Sequence, residues 1–257
     1  MGTMLPFNSQ AAGGGTAGNG TPQAPYVIGS SNITTSIDNG AMVTVGNVKA
    51  GDLTLIMSYV EPANEGATDG SASFGTFTLS GGFTLLSGFP LETDAANLAN
   101  GWDDHRIYVW YHVATADTTN LQVSVTNPVG LDAMTTNSVT IRGVNTTNGP
   151  LSDSMSTAIL SGGATTNTNT TPPVSLNLSH ANSLVMWLLG DWSGRVIYPD
   201  GYSFFGFSTP GYPWASQPVV ATKVYPAAGA TGNVTASSTD NLGNDHGLTV
   251  ALLSFRP

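Results

Sequence analysis

The fold is decided by Lys49-Ala-Gly-Asp-Leu-Thr-Leu-Ile56 and by a second stretch of the same design, His180-Ala-Asn-Ser-Leu-Val-Met-Trp187. Each stretch opens with residues that favour a tight turn and continues as an apolar run typical of a buried β-strand. The segments that follow also correspond, because Gly82-Phe-Thr-Leu-Leu-Ser-Gly88 matches Gly201-Tyr-Ser-Phe-Phe-Gly-Phe207. These matches predict that the chain contains two similar halves.

Two weaker correspondences complete the repeat. Val109-Trp-Tyr-His-Val-Ala-Thr115 matches Val220-Ala-Thr-Lys-Val-Tyr-Pro226, and Ser138-Val-Thr-Ile-Arg-Gly-Val144 matches His246-Gly-Leu-Thr-Val-Ala-Leu-Leu253. Because the order is the same in both halves, we predict two four-strand motifs that stack face to face as a jelly-roll-like antiparallel β-sandwich, with residues 161–173 as the crossover. Chance similarity among Thr- and Gly-rich strands is the alternative interpretation.

Short alternating segments separated by turn signals run from Tyr26 onward. Typical turn signals are Asp38-Asn-Gly40 and Pro199-Asp-Gly201. No segment has the length and period of a helix, so the predicted fold class is all-β. The predicted strands cover residues 41–45, 53–60, 82–87, 107–113, 121–125, 138–144, 174–178, 183–189, 202–207, 219–225, 232–236 and 248–255.

The composition argues against several classes of protein. The 257 residues suit one large all-β domain, and their 6 Lys and Arg against 16 Asp and Glu give a formal net charge of −10. Such a chain is poorly suited to nucleic acid or to an anionic membrane, since both attract cations. Charged residues make up 9%, against about 25% in typical domains, which is too few to coat helices. The lack of cysteine excludes disulfides and thiolate metal sites.

Residues 1–25 differ from the rest of the chain. They contain Gly13-Gly-Gly15 and Gly18-Asn-Gly20 and few apolar groups, so they should not fold alone. We predict an extended N-terminal arm over residues 1–25 that becomes ordered on a neighbouring subunit, and a sandwich domain over residues 26–257; a floppy tail is the alternative to the arm. The candidate assembly residues of the arm are Leu5, Pro6, Phe7, Pro22 and Pro25.

Catalytic and metal-binding patterns are weak. The acidic cluster Asp103-Asp104-His105 precedes a predicted strand, and Asp191 could join it as a Ca²⁺ ligand, but a solvated loop explains the cluster more simply. The chain has no cysteine nucleophile, no Gly-x-Ser-x-Gly elbow, no His-Glu-x-x-His and no phosphate-binding loop signature. The sequence therefore predicts a protein that is not an enzyme, with no catalytic residue, cofactor or metal.

Aromatic residues crowd between positions 187 and 214. Exposed Trp and Tyr rings can stack on sugars, so this region could bind a glycan. Alternate residues of the predicted strand 202–207 must face inward, and Trp187 lies in an apolar strand. The candidates for glycan or partner contact are therefore Trp192, Tyr198, Tyr212 and Trp214. The alternative for most of the aromatic residues is the core or a subunit interface.

Several of these segments, taken in order, resemble a family of bacteriophage virion jelly-roll proteins found among head decoration, head fibre and tail-associated components. The resemblance covers residues 38–257. The matching motifs are Ala50-Gly-Asp-Leu53, Gly82-Phe-Thr-Leu-Leu86, Trp110-Tyr-His-Val-Ala-Thr-Ala116, Thr140-Ile-Arg-Gly-Val144, Asn182-Ser-Leu-Val185, Ala228-Gly-Ala-Thr-Gly232 and Ala251-Leu-Leu-Ser-Phe-Arg-Pro257.

The resemblance implies a structural protein that coats or projects from a phage particle, commonly as a trimer or another symmetric homo-oligomer. Its expected partners are the major capsid protein or other virion proteins. We expect a capsid decoration or cement protein that binds across capsomer junctions, assembled in the host cytoplasm and exposed on the virion. No basic and apolar secretion signal follows Met1, which fits release by lysis. The alternative function is a tail- or fibre-associated adhesion module that binds host-surface glycan.

Overall fold

The computed structural model describes residues 23–35, 41–62, 78–93, 105–126, 131–160, 168–191, 197–205, 217–242 and 247–257. These residues form antiparallel sheets and contain no helix, which confirms the all-β class and is consistent with a β-sandwich. No helix capable of crossing a membrane therefore occurs within them. The strands are β1 (Tyr26–Thr35), β2 (Ala41–Val48), β3 (Leu53–Pro62), β4 (Thr78–Leu79), β5 (Thr84–Leu85), β6 (Leu91–Glu92), β7 (Arg106–Val113), β8 (Thr118–Thr126), β9 (Leu131–Arg142), β10 (Ser156–Leu160), β11 (Thr168–Thr170), β12 (Asn177–Leu178), β13 (Ser183–Asp191), β14 (Ser203–Phe205), β15 (Gln217–Tyr225), β16 (Gly229–Ala230), β17 (Ser237–Leu242) and β18 (Leu248–Phe255).

Two large sheets share one strand order. The first large sheet runs β1-β9-β3-β7-β5, with the short β6 also paired to β7. The second large sheet runs β10-β18-β13-β15-β14. Each strand of the first large sheet therefore has a counterpart at the same place in the second large sheet. We call β1 to β9 the first half and β10 to β18 the second half. The internal repeat predicted from the sequence is present in the topology.

The registers fix which residues are equivalent. Leu53 of β3 lies opposite Val113 and Ile141, and Leu184 of β13 lies opposite Val224 and Phe255. Three of the predicted correspondences agree with this register. The fourth identified the right strands, β9 and β18, in the wrong register, because Ser138 is equivalent to Leu252. Strands that alternate with period two can be aligned in several registers on pattern alone.

Each half has two layers instead of the one four-strand motif that the sequence predicted. In the first half, the first small sheet has the order β2-β8-β4. In the second half, β11 pairs with β17 and β12 with β16, and an isolated bridge joins Val174 to Val234. Both halves therefore place a smaller sheet layer over one face of their large sheet. Four of these strands are only two or three residues long; β12 lies within the predicted strand 174–178, whereas β4, β11 and β16 were not predicted.

Three apolar clusters lie between the layers. The central cluster joins the two large sheets and includes Leu55 and Met57 of β3 with Met186 and Leu188 of β13. Each half also has an outer cluster between its large and small layers, where Ile56 is buried in the first half. Both central strands are thus covered on both faces. This explains why every residue of β13 is buried, as in the continuous apolar runs of doubly covered strands.

The two halves join at residues 143–155 and not at residues 161–173. β10 comes before the predicted crossover, yet it already pairs with β18 in the second large sheet. The joining segment follows β18, since the Asn145 amide donates to the Arg256 carbonyl and the Ser152 amide donates to the Ser254 carbonyl. The Gly- and Thr-rich composition of 161–173 had suggested a linker, whereas the true connection carries Val144, Leu151 and Met155 against the central cluster.

The turn before each central strand uses the same backbone conformation. Gly51 and the equivalent Asn182 both have positive φ, at 88° and 57°. The following residue closes the turn in two different ways. The carboxylate of Asp52 accepts from the Lys49 amide at 2.7 Å, whereas the hydroxyl of Ser183 donates to the His180 carbonyl at 2.8 Å.

Candidate functional site

Tyr198 is the one predicted glycan-contact residue that the structure describes, and it is 42% exposed. Trp192, Tyr212 and Trp214 lie outside the described residues. So do Leu5, Pro6, Phe7 and Pro22 of the predicted arm. Pro25 is described and buried, next to Gly143. Asp103 and Asp104 of the acidic cluster also lie outside the described ranges.

Tyr198 lines a cleft of about 350 Å³ at the margin of the second half, which we call the tyrosine cleft. One wall comes from the turn before β14 and from the end of β15, and the other from the segment between β16 and β17. The cleft therefore lies where the second large sheet and its small layer diverge. Its lining residues are Tyr198, Pro199, Asp200, Tyr202, Lys223, Tyr225, Thr231, Asn233, Val234, Thr235 and Ser237.

The ring of Tyr198 is held in place from one side. It stacks on Phe204 with the ring centroids 5.2 Å apart and the planes 2° from parallel. Phe204 packs in turn against the outer cluster of the second half, so the stack is anchored to the core. Since Phe204 does not line the cleft, the exposed part of the Tyr198 ring is available to a ligand.

Two further tyrosines and a lysine form the inner part of the tyrosine cleft. Lys223 and Tyr225 are two residues apart on β15, so both side chains point to the same face. The Lys223 ammonium lies 5.1 Å from the Tyr225 ring centroid and 5.7 Å from that of Tyr202. The hydroxyls of Tyr202 and Tyr225 are 3.3 Å apart. Burial and this hydrogen bond raise the pKa of Tyr202 well above its usual value, so Tyr202 stays a neutral phenol at physiological pH.

Lys223 differs from three of the other four cations that the structure describes; the fourth, Arg256, also has no ion pair and donates instead to the Asn145 carbonyl. Lys49, Arg106 and Arg142 pair with Asp117, Glu92 and Asp52 respectively. No carboxylate in the described part of the chain lies within salt-bridge distance of Lys223. Its ammonium instead rests over two ring faces, an arrangement that stabilises a cation and leaves its N–H groups free for a ligand.

The equivalent margin of the first half is built from other residues. The registers make Phe83 equivalent to Tyr202, His112 to Lys223 and Ala114 to Tyr225. The rings of Phe83 and His112 lie 5.3 Å apart, and His112 Nδ1 is 3.3 Å from the Gly82 carbonyl. In this half Leu79, the counterpart of Tyr198, is part of β4 and packs against the outer cluster.

A second cleft of about 360 Å³ lies between β1, β2 and β9 in the first half. Its lining includes Ile28, Ser30, Asn47 and Arg142 but no aromatic side chain. The Arg142 guanidinium is already engaged, since Nε and Nη2 each donate to Asp52 at 2.8 Å. This cleft therefore lacks both a stacking surface and a free charge.

Of the titratable residues singled out by the sequence, the structure describes His105 and Asp191. His105 is buried, stacks on Tyr59 with ring centroids 4.8 Å apart, and lies 3.2 Å from the Thr93 hydroxyl and 3.5 Å from that of Thr249. Asp191 is buried at the end of β13. Among the described residues there is no cluster of three or more side chains able to hold a metal ion. His105 joins the two halves as a structural contact.

Sequence reasoning missed Tyr202, Lys223 and Tyr225 as site residues. Tyr202 belongs to the predicted strand 202–207, whose alternate residues were expected to face inward, and Lys223 and Tyr225 were used only to support the repeat. The sequence does show that a lysine two residues before a tyrosine on one strand shares a face with it, but not that this face lines a cleft. Comparison with known proteins adds no candidate, since no family model, curated protein or solved structure matches the chain.

Proposed function

We propose that the chain is a structural protein of a bacteriophage virion, a decoration or cement protein that binds across capsomer junctions and stabilises the head. The observation that carries this proposal is a pair of unprotected sheet edges. β1 pairs only with β9, and β10 only with β18, among the residues that the structure describes. Such edges are the part of a β-protein that another chain can extend.

Soluble proteins usually protect their edge strands with charged residues or proline. β1 has the sequence Tyr-Val-Ile-Gly-Ser-Ser-Asn-Ile-Thr-Thr, and β10 has the sequence Ser-Thr-Ala-Ile-Leu. Neither contains a charge or a proline, and Ile159 of β10 is 46% exposed. A low-charge edge of this kind suits a protein that is covered by neighbours in an assembly, where an unpaired buried charge would be costly.

The motifs behind the virion resemblance also fit together physically. Asp52 of Ala50-Gly-Asp-Leu53 is buried and forms a bidentate ion pair with Arg142 of Thr140-Ile-Arg-Gly-Val144. The carboxylate raises the pKa of the Arg142 guanidinium far above its ordinary value. Two segments that are distant in the sequence are thereby fixed to each other, which supports treating the motifs as one structural signature.

We further infer that the first half has the jelly-roll strand order, and that the second half, whose large sheet has the same order, is built in the same way. We leave out the short β6 and renumber the other eight strands of the first half from 1 to 8 along the chain, so that β7, β8 and β9 become strands 6, 7 and 8. The large sheet then has the order 1-8-3-6-5 and the small sheet the order 2-7-4. An eight-strand jelly roll has strands 1, 8, 3 and 6 in one sheet and 2, 7, 4 and 5 in the other. Only the fifth strand differs, because here it belongs to the large sheet and in a jelly roll it belongs to the sheet that contains strands 2, 7 and 4. On this interpretation the chain carries two jelly rolls in tandem, not one.

The N-terminal arm supplies the proposed anchor. Pro25 is packed beside Gly143, and β1 begins at the next residue on an edge of the first large sheet. The chain therefore enters the first large sheet at Pro25, next to an open edge. In an oligomer, trimeric in the form the resemblance implies, the arm of one copy would bind a neighbouring copy or the major capsid protein.

Particle binding tests this proposal. Purified full-length protein, a variant lacking residues 1–25 and Ile159→Lys would be added to particles that lack the protein, and bound copies counted after sedimentation. We expect full occupancy for the full-length protein, loss of binding without the arm, and reduced occupancy for Ile159→Lys. Full occupancy by the truncated protein would disprove the role of the arm, and no binding by the full-length protein would disprove decoration.

A second candidate function is favoured by the tyrosine cleft. An exposed Tyr198 ring beside hydroxyl and amide groups suits an adhesion module that binds a glycan. A glycan array probed with the wild type and Tyr198→Ala tests it. We expect binding by the wild type that is strongly reduced in Tyr198→Ala, and an array with no wild-type signal would remove this candidate.

A further inference from the structure

We infer that the tyrosine cleft binds a carbohydrate that bears a carboxylate, with Lys223 contacting the carboxylate. This inference rests on the second candidate function and specifies the chemical class of its ligand. Three features of the cleft support it: a stacking surface, a cation with no described counter-charge, and a row of hydrogen-bonding groups with no described side-chain partner.

The stacking surface is the ring of Tyr198. A pyranose presents patches of C–H groups on its faces, and these pack on exposed aromatic rings while the hydroxyls stay in reach of polar groups. The coplanar stack of Tyr198 on Phe204 fixes the ring before a ligand arrives. A platform ordered in advance loses little side-chain entropy on binding.

Lys223 is the reason to expect a negative charge on the ligand. Its ammonium is half-buried in a cleft and lies over the Tyr202 and Tyr225 rings, with no described carboxylate as a partner. Asp200 also lines the cleft, but it is exposed and lies at the turn before β14. A carboxylate on the ligand would form a charge-assisted hydrogen bond with the ammonium.

The hydrogen-bonding row lies on the opposite wall. Asn233, Thr235 and Ser237 alternate with the buried Val234 and Ala236, so all three polar side chains face the cleft side. None of the three forms a side-chain hydrogen bond with another described residue. An amide and hydroxyls in a row at the spacing of a strand can bind successive hydroxyl groups of a saccharide.

The first half provides the internal contrast. At the equivalent positions it has Phe83, His112 and Ala114, so neither a tyrosine pair nor a lysine is present. β4 also continues the first small sheet where Tyr198 stands exposed in the second half. The two halves thus share a backbone arrangement, but only the second half has the groups that a sugar acid requires at these positions. This assigns the site to the second half.

The experiment measures binding to immobilised oligosaccharides that end in glucuronate or N-acetylneuraminate, and to the same oligosaccharides with the carboxylate reduced to an alcohol. The proteins are the wild type, Lys223→Gln, Lys223→Arg and the matched first-half control His112→Gln. Circular dichroism and thermal unfolding check that each variant is folded. We expect the wild type to prefer the carboxylated forms by about tenfold, a preference that Lys223→Gln removes, Lys223→Arg largely keeps and His112→Gln leaves unchanged.

The outcomes separate the two claims. Equal binding of carboxylated and reduced forms, unaffected by Lys223→Gln, would overturn the acidic-sugar inference while leaving glycan adhesion in place. A carboxylate preference that His112→Gln removes would place the site in the first half and overturn the assignment. No binding to any member of the array would overturn both the inference and the second candidate function.

Discussion

The two halves of the molecule share a strand order but fill it differently. At one layer of the outer cluster the first half places Ile56 on its central strand and Trp110 beside it on β7. The second half places Trp187 on the central strand and Ala221 beside it on β15. The tryptophan of each pair lies on β7 in the first half and on the central strand β13 in the second. Both pairs fill the layer, as expected for packing in which the total side-chain volume matters more than the individual positions.

The outer face of the first large sheet is also more polar. Thr54 and Thr140 approach each other at 3.1 Å through their hydroxyls, and Ser58 and Thr136 at 2.8 Å. The equivalents of Thr54 and Ser58 in the second half are Val185 and Leu189, both buried in the outer cluster. A pair of hydroxyls and a pair of apolar side chains can thus occupy the same buried site, because each leaves no polar group without a partner. The halves also differ at their margin, where the second half has the tyrosine cleft.

The largest effect is expected from truncating the central strands. Trp187→Ala should lower the free energy of unfolding by about 3–5 kcal/mol, and Ile56→Ala at the equivalent position by about 2–4 kcal/mol, because both remove fully buried side chains and leave cavities. Urea unfolding measures both. A larger loss for Ile56→Ala would show that the first half contributes the better-packed layer and would reverse the comparison.

A smaller effect is expected at the residue that closes the turn before each central strand. Asp52→Asn should cost about 2–3 kcal/mol, since Arg142 loses its buried counter-charge but is 35% exposed and keeps some hydration. Ser183→Ala, the matched change in the second half, should cost about 1 kcal/mol, the value of one neutral hydrogen bond. Both are measured by chemical denaturation at neutral pH. Equal costs would mean that the ion pair adds nothing beyond a hydrogen bond.

The turn conformation itself gives a still smaller effect. Gly51→Ala should destabilise by about 1 kcal/mol, because an alanine pays for the positive φ although no atom lies within 4 Å of the added methyl group. Gly51→Asn should cost less than half of this, since the second half already has asparagine, as Asn182, in that conformation. Thermal unfolding of the two variants and of the wild type measures both losses of stability. If asparagine were as costly as alanine, the two turns would not be equivalent.

The smallest effect concerns pH and the segment that joins the halves. Burial alone would raise the pKa of Asp153, but hydrogen bonds from Ser179, Ser254 and Ser152 outweigh it and hold the pKa below its ordinary value. A depressed folded-state pKa contributes stability above the unfolded-state pKa, and this is lost as the pH falls through the folded-state pKa. Acidification from about pH 5 to about pH 3 should therefore cost the wild type more than Asp153→Asn, by less than about 1 kcal/mol because the group is only partly buried and solvent screens its interactions. Identical pH profiles would contradict this role.

Much of the fold could be predicted from the sequence because it depends on local patterns. Period-two alternation and the apolar runs identified β3, β7, β13, β15 and β18, and the Gly-aromatic segments identified β5 and β14. The edge strands β1 and β10 were missed, since Thr-, Ser- and Asn-rich edges lack the apolar alternation that marks a half-buried strand. The two-layer build of each half was missed because a doubly covered strand has no alternation from which its two faces can be separated.

The candidate site was predictable only in part. Tyr198 was identified because an aromatic residue beside Pro199-Asp-Gly201 belongs to a turn, and turns lie at the surface. Lys223 and Tyr225 become site residues only when β15 is placed beside β14 and the segment after β16, which is a non-local pairing. The register between distant strands depends on packing and not on local composition, so no inspection of the residues around Lys223 could have given it.

The copy number of the protein in purified virions tests the central claim, that this is a capsid decoration protein, most directly. Quantitative mass spectrometry against the major capsid protein would measure it. We expect hundreds of copies per particle, in a fixed ratio to the capsid protein. A few dozen copies or fewer would contradict decoration and favour a tail or vertex adhesion module, and absence from the virion would contradict the structural role altogether.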